Sequence, residues 1–192
     1  MSALTNMTVL SVADPLMVGA VLRESMSLAG PAYIRMGVGK SDPVIYDPDT
    51  LDIRIGRGIV AREGCDVTIV THGTTLGQSL AAAAQLAREG IEVRVVDMFT
   101  IKPLDEELLA RCAAETGGIL AVEDHLLQGG LASRAADFFM DSGIRPRGFR
   151  RLGIPPVFPG FGPDAELREK HGYGLSQTIA AARTLAEEGR VR

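Results

Sequence analysis

Asp66-Val67-Thr68-Ile69-Val70-Thr71-His72-Gly73-Thr74-Thr75-Leu76 opens the stretch, residues 66–97, whose reading decides the fold. Its first five residues after Asp66 are apolar or β-branched, as a strand requires. His72-Gly73-Thr74-Thr75 breaks that run. Leu76, Leu80, Ala83 and Ala87 then recur at helical spacing, and Gly90 ends the periodicity. Residues 91–96 form a second apolar run. Strand, Gly-containing turn, helix stopped by Gly and second strand make a βαβ unit. Neither strand alternates apolar with polar residues, which suits parallel strands covered by helices on both faces. The predicted class is therefore α/β, with a mostly parallel sheet flanked by helices. That prediction concerns fold, and the chemistry has to come from particular side chains.

Composition narrows the classes of function. A chain of 192 residues with 46% hydrophobic and 23% charged residues suffices for a packed domain of ordinary size, or one plus a fragment. A formal charge of −4 with interspersed signs argues against nucleic acid as the main partner. Tryptophan is absent and aromatics make up 5%, which disfavours a base-stacking platform. No apolar run is long enough to span a bilayer, so no membrane partner is expected. Residues 1–7 lack the basic start and apolar run of a secretory signal. Two cysteines, Cys65 and Cys112, do not make a disulfide scaffold, and a reducing cytoplasm is the default expectation.

Outward from the central unit, residues 8–12 read as a strand. Asp14-Pro15 reads as a helix start, with Asp at the N-cap and Pro at the first helical position. Gly30-Pro31 stops that helix and residues 32–36 form the next strand. A two-strand parallel unit cannot cover itself. Either it joins another sheet, or residues before Met1 belong with it; the second is expected, because residues 1–7 offer no cap. With only each other as neighbours, these strands are expected to be the least protected part of the chain. Residues 40–52, with Pro43, Pro48 and several Asp, read as a linker crossing the surface. Gly56 and Gly58 around Arg57 suggest a bend or short β segment. Beyond the central unit, Asp105 is a plausible N-cap with Glu106 and Glu107 in the first turn. Residues 119–122 form a third strand, and Gly129-Gly130 leads into a helix with Leu131, Ala135 and Phe138 inward. Residues 147–152 read as a further strand. Asp164 caps a short helix, and residues 175–188 form the last one.

Two polar constellations stand at strand ends. Glu123-Asp124-His125 follows the third strand, where open α/β sheets gather ligands. A carboxylate beside His suits acid–base work. Adjacent residues on an extended chain point apart, however, which favours a structural or interface role. His72-Gly73-Thr74-Thr75 joins a strand to a helix N-terminus, which can hold an anion, yet it matches no phosphate-binding pattern and a plain turn is the simpler reading. The three His and two Cys show no metal-ligand spacing. No G-x-S-x-G elbow is present. No catalytic, cofactor-binding or metal-binding residue is assigned.

Several segments in order resemble transketolase. Asn6-Met7-Thr8-Val9 through Ala13-Asp14 and Gly30-Pro31-Ala32-Tyr33-Ile34-Arg35-Met36-Gly37 are similar to segments of that family's pyrimidine-binding domain. Residues 63–70, Thr100-Ile101-Lys102-Pro103-Leu104-Asp105, and Glu123-Asp124-His125 with Gly129-Gly130 resemble its C-terminal domain. The resemblance implies residues 1–40 as a partial pyrimidine-binding domain, 41–56 as linker and 57–192 as a transketolase C-terminal domain. It implies transfer of a two-carbon ketol unit between sugars or sugar phosphates by a complete enzyme that uses thiamine diphosphate and Mg²⁺. No cofactor is expected on this chain alone, which is expected to be inactive and to support assembly. The expected partner is an N-terminal transketolase half or subunit, in a homodimer or heteromer. Alternatives are a non-enzymatic regulatory or interaction domain of the same fold, a deoxyxylulose-phosphate synthase, or a pyruvate dehydrogenase β chain. Where the family commonly carries R-x-G-R, Arg35 is followed by Met36, Gly37 and Val38, so the second, phosphate-holding Arg is not carried over. Arg35, Lys40, His72, Glu123, Asp124 and His125 are the candidates for a substrate or interface loop.

Overall fold

A computed structural model of the chain describes residues 1–37, 43–47 and 49–190. The opening unit is β1 (Thr8–Ser11), α1 (Pro15–Ser25) and β2 (Ala32–Arg35), with β1 and β2 parallel. Asp14 caps α1 as expected: its Oδ1 accepts from Leu16 N at 2.8 Å and Met17 N at 2.9 Å. The central unit follows as β3 (Ile59–Arg62), β4 (Val67–Thr71), α2 (Thr75–Ala87) and β5 (Val93–Asp97). The chain continues through β6 (Thr100–Lys102), α3 (Glu106–Glu115), β7 (Ile119–Leu126), α4 (Leu131–Ser142), β8 (Phe149–Ile154), α5 (Asp164–Lys170) and α6 (Leu175–Arg190).

The main sheet has the order β3-β5-β4-β7-β8, parallel except for β3, which runs antiparallel to β5. Successive residues of the central strands feed two different cores. Ile69, Val93, Val95, Leu120 and Val122 join Leu76, Leu86, Ile179 and Leu185 on one face. Val70, Val96, Ile119 and Ala121 join Leu109, Leu131 and Phe139 on the other. Both faces are thus apolar and covered, which is why β4 and β5 lack alternation. Each fully buried Leu or Ile contributes roughly 2 kcal/mol of transfer free energy.

The structure departs from the sequence expectations at five places. First, β1 is not left with a single neighbour: β6 pairs with it antiparallel, making a three-stranded sheet in the order β2-β1-β6. A three-residue strand after a tight turn gives too short a pattern to find in sequence. Lys102 reinforces this joint by donating to the carbonyls of Leu4, Thr5 and Ser2 at 2.6, 3.1 and 3.3 Å. Leu10, Met17 and Val21 are consequently fully buried in the same core as Ile69 and Leu120. Second, the connection after β2 is anchored rather than merely crossing the surface. Asp14 Oδ2 accepts from Ile45 N at 2.8 Å and Tyr46 N at 2.9 Å. Third, β7 runs through Glu123-Asp124-His125 to Leu126, so this trio lies within the strand and not after it. Fourth, β8 is shifted two residues beyond the expected 147–152. Fifth, Pro163 rather than Asp164 is the N-cap of α5, and Asp164 is its first residue. Val38 and Lys40 lie outside the described residues.

Candidate functional site

Four strand ends meet in one place. β1 brings Ser11, β2 brings Arg35, β4 is followed by His72, and β7 carries Glu123, Asp124 and His125. Between them lies a cleft of about 350 Å³ with Ser11, His72 and Glu123 at its base and Tyr33, Arg35 and His125 on its walls. Of the six expected residues, five thus converge from segments up to 90 residues apart, and Lys40 is the one outside the described residues.

Glu123 is fully buried. Gly130, the N-cap of α4, has no side chain to cap the helix, and Glu123 supplies the missing acceptors. Its Oε2 takes the Leu131 amide at 2.8 Å and its Oε1 the Ala132 amide at 3.0 Å. This is capping from another element of the chain, with a negative charge at the positive end of the helix. Gly130 must be glycine for this approach: a Cβ there would overlap Glu123 Oε2 and stand 2.8 Å from His125 Nδ1. Burial alone would push the Glu123 carboxyl up. The neighbouring His72 imidazole and the two α4 amides outweigh it and hold the group below the usual glutamate range.

His72 is buried between the two sheets. Its Nδ1 stands 3.0 Å from Ser11 Oγ and its Nε2 3.6 Å from Glu123 Oε2. The second distance is beyond a hydrogen bond and makes an electrostatic contact. The turn that aims the ring uses Gly73 at φ +58°, where a Cβ would also come within 2.6 Å of Ser11 Oγ. Ser11, His72 and Glu123 therefore follow one another as a nucleophile–base–carboxylate series would. The carboxylate, however, is already committed to two amides and Ser11 is only 3% exposed. These contacts fasten the three-stranded sheet to the main sheet.

Asp124 points the other way, as neighbours on a strand must. Arg35 donates from Nη1 to its main-chain oxygen and from Nη2 to Oδ2 at 3.2 Å. Tyr173 OH donates to Oδ1 at 3.0 Å, and Thr74 Oγ1 lies 3.5 Å from Oδ2. Burial and the adjacent carboxylate push the Tyr173 phenol well above its usual range. Arg168 in turn donates to Thr74 Oγ1 at 3.0 Å. The Arg35–Asp124 pair divides the cleft from a smaller one of about 180 Å³ bordered by Gly73, Thr74 and Asp164. His125 differs from its neighbours: its Nδ1 lies 2.8 Å from Leu126 O and its ring borders the open cleft.

Sequence reasoning did not single out Ser11, Tyr173 or Arg168. Ser11 could have been flagged by its place at the end of a strand; nothing local marks the other two, whose partners lie 49 and 94 residues away. Among the described residues no group of three His, Cys, Asp or Glu is placed to hold a metal ion.

Comparison with known proteins fits this architecture. The family model "Transketolase, C-terminal domain" matches residues 56–178. The chain is 38% identical over 172 residues to 1-deoxy-D-xylulose-5-phosphate synthase of Heliobacterium modesticaldum, covering 90% of this chain and 26% of that protein. It is 32% identical over 192 residues to the 6-deoxy-6-sulfo-D-fructose transketolase subunit SqwH of a Clostridium species, covering 100% of this chain and 58% of that subunit. Among solved structures, one described as "split gene transketolase, inactive beta4 tetramer" superposes with a TM-score of 0.90 at 37% identity, covering 99% of this chain and 61% of that one. The chain thus spans between about a quarter and three-fifths of the length of these relatives.

Proposed function

From the premise that this chain belongs to the transketolase C-terminal domain family, we propose that it is the C-terminal part of an enzyme that moves a two-carbon ketol unit between sugars or sugar phosphates. The reading rests on one observation above others: likeness to a split-gene transketolase over 99% of the chain, with the β1-α1-β2 unit included. Domain organisation follows the same reading. Residues 1–40 contribute to a pyrimidine-binding domain, 41–56 connect, and 57–192 form the C-terminal domain. The Ser11–His72–Glu123 series and the Arg35–Asp124 pair are the joint between the two.

The cleft offers no free carboxylate for the Mg²⁺ that accompanies thiamine diphosphate in such an enzyme. Glu123 is spent on the α4 amides and Asp124 on Arg35 and Tyr173, which leaves neither carboxylate to ligate a metal. An N-terminal half or subunit would hold the cofactor, in a dimer or larger heteromer in the cytoplasm. The two free thiols, Cys65 and Cys112, suit a reducing compartment. Arg35, His72, Glu123, Asp124 and His125 then serve the joint and the subunit interface rather than bond making.

The test is ketol transfer measured with the purified chain alone and with an N-terminal transketolase subunit added, both with thiamine diphosphate and Mg²⁺. Activity only in the mixture is expected. Turnover by the chain alone would overturn the assignment of the cofactor to a partner. A second reading, deoxyxylulose-phosphate synthesis, is favoured by the 38% identity to a synthase. Pyruvate as the preferred donor of the active mixture would select it.

A further inference from the structure

Asp97 closes β5 with a wholly buried carboxyl group. Its Oδ2 accepts from Tyr46 OH at 2.9 Å, and its Oδ1 is buried with no hydrogen-bond partner among the described residues. A carboxylate so placed is costly when ionised. Tyr46 belongs to the connection 43–47, and the same connection is gripped a second time by Asp14, which accepts from Ile45 N and Tyr46 N. Asp14 also caps α1, so a single carboxylate holds four amides.

Among the described residues, the titratable groups that face Asp97 are Tyr46 from the connection and Asp14 from the start of α1. Its register partners on the adjoining strands, Ile59 of β3 and Thr71 of β4, carry no charge. Asp14 opposes ionisation through its own charge, while the Tyr46 hydroxyl favours it.

We propose that residues 43–47 form a proton-dependent clamp, closed on Asp97 while that carboxyl is protonated and released when it ionises. An ionised Asp97 has one phenolic donor for two oxygens and a second carboxylate beside it. Outward movement of Tyr46 admits water to both oxygens of Asp97. Tyr46 and Ile45 are adjacent on the chain, so the same movement strips their amides from Asp14. Burial, opposed in part by Tyr46, sets the Asp97 carboxyl at about 7. The connection 43–47 is therefore released from Asp97 and Asp14 within the physiological pH range. This inference stands on the Asp97–Tyr46–Asp14 geometry and is independent of the enzyme reading above.

Hydrogen exchange followed by mass spectrometry tests it on the full chain, at pH 6 and pH 8.5 with intrinsic rates corrected. The peptide containing residues 43–47 is expected to lose protection by about tenfold or more between the two, as follows from titration of one group near neutrality. Peptides of β4 should keep theirs. In Asp97→Asn the 43–47 peptide is expected to show equal protection at both pH values. Unchanged protection in the wild-type chain, or the same pH dependence in Asp97→Asn, would overturn the proposal. Carbon-13 NMR titration of the Asp97 carboxyl in the wild-type chain gives a check free of any substitution: a midpoint below pH 5 would also overturn it.

Discussion

Glu123 offers the sharpest quantitative test of how the site is built. In Glu123→Ala both carboxylate oxygens disappear while the Leu131 and Ala132 amides stay buried. Each buried donor left without an acceptor costs about 1–3 kcal/mol. Loss of the buried negative charge at the α4 N-terminus adds about 1 kcal/mol. The sum is about 3–7 kcal/mol, a large share of the roughly 5–15 kcal/mol that holds a domain together. Glu123→Gln keeps one carbonyl for one amide but turns an NH₂ toward the other, so a loss of about 2 kcal/mol is expected. The assay is urea unfolding followed by circular dichroism. With a slope of about 2 kcal/mol per molar, the midpoints should fall by about 1.5–3.5 M for Ala and about 1 M for Gln. Exchange of the first-turn α4 amides should accelerate in both variants. If Glu123→Ala stays within 0.5 kcal/mol of the parent (about the scatter of neutral substitutions) with its α4 amides still protected, the capping argument fails.

Further outcomes follow from the same contacts. Gly130→Ala forces a Cβ onto Glu123 Oε2 and should lower the thermal midpoint of the chain about as much as Glu123→Gln does, by roughly 5 °C. Because the Glu123 carboxyl lies below its ordinary value, its contribution is present above the unfolded-state pKa and lost as pH falls through the folded one. Acid titration below about pH 4.5 should therefore destabilise the parent more steeply than Glu123→Gln; parallel acid curves would contradict this. Arg35→Ala should cost about 1 kcal/mol or less globally, because the Arg35–Asp124 pair is partly exposed at 38% and 25%, yet β2 exchange should quicken. Gly64→Ala places a Cβ onto the Val93–Arg94 peptide, where backbone cannot yield, and loss of soluble expression is the expected readout.

The Val67–Asp97 pattern was legible because two local rules act there together. Non-alternating β-branched runs need cover on both faces, and a period of 3.6 interrupted by Gly73 and Gly90 marks one helix between them. Asp14-Pro15 and Asp105 likewise announced caps that their side chains make. The strand-end positions of His72 and Glu123 were visible for the same reason, since topology alone sends parallel strand ends to one edge. Their contacts were not. Glu123 caps a helix that starts eight residues later, Ser11 reaches His72 across 61 residues, and Tyr173 reaches Asp124 across 49. Such pairings depend on how whole sheets are set against each other, and no periodicity encodes that. The same holds for β6, whose three residues became a strand only because β1 offered an unpaired edge. Local sequence determined the elements and the chemistry of the residues at their ends. Tertiary structure decided which of those residues met, and thereby that the carboxylates of the cleft hold the fold together.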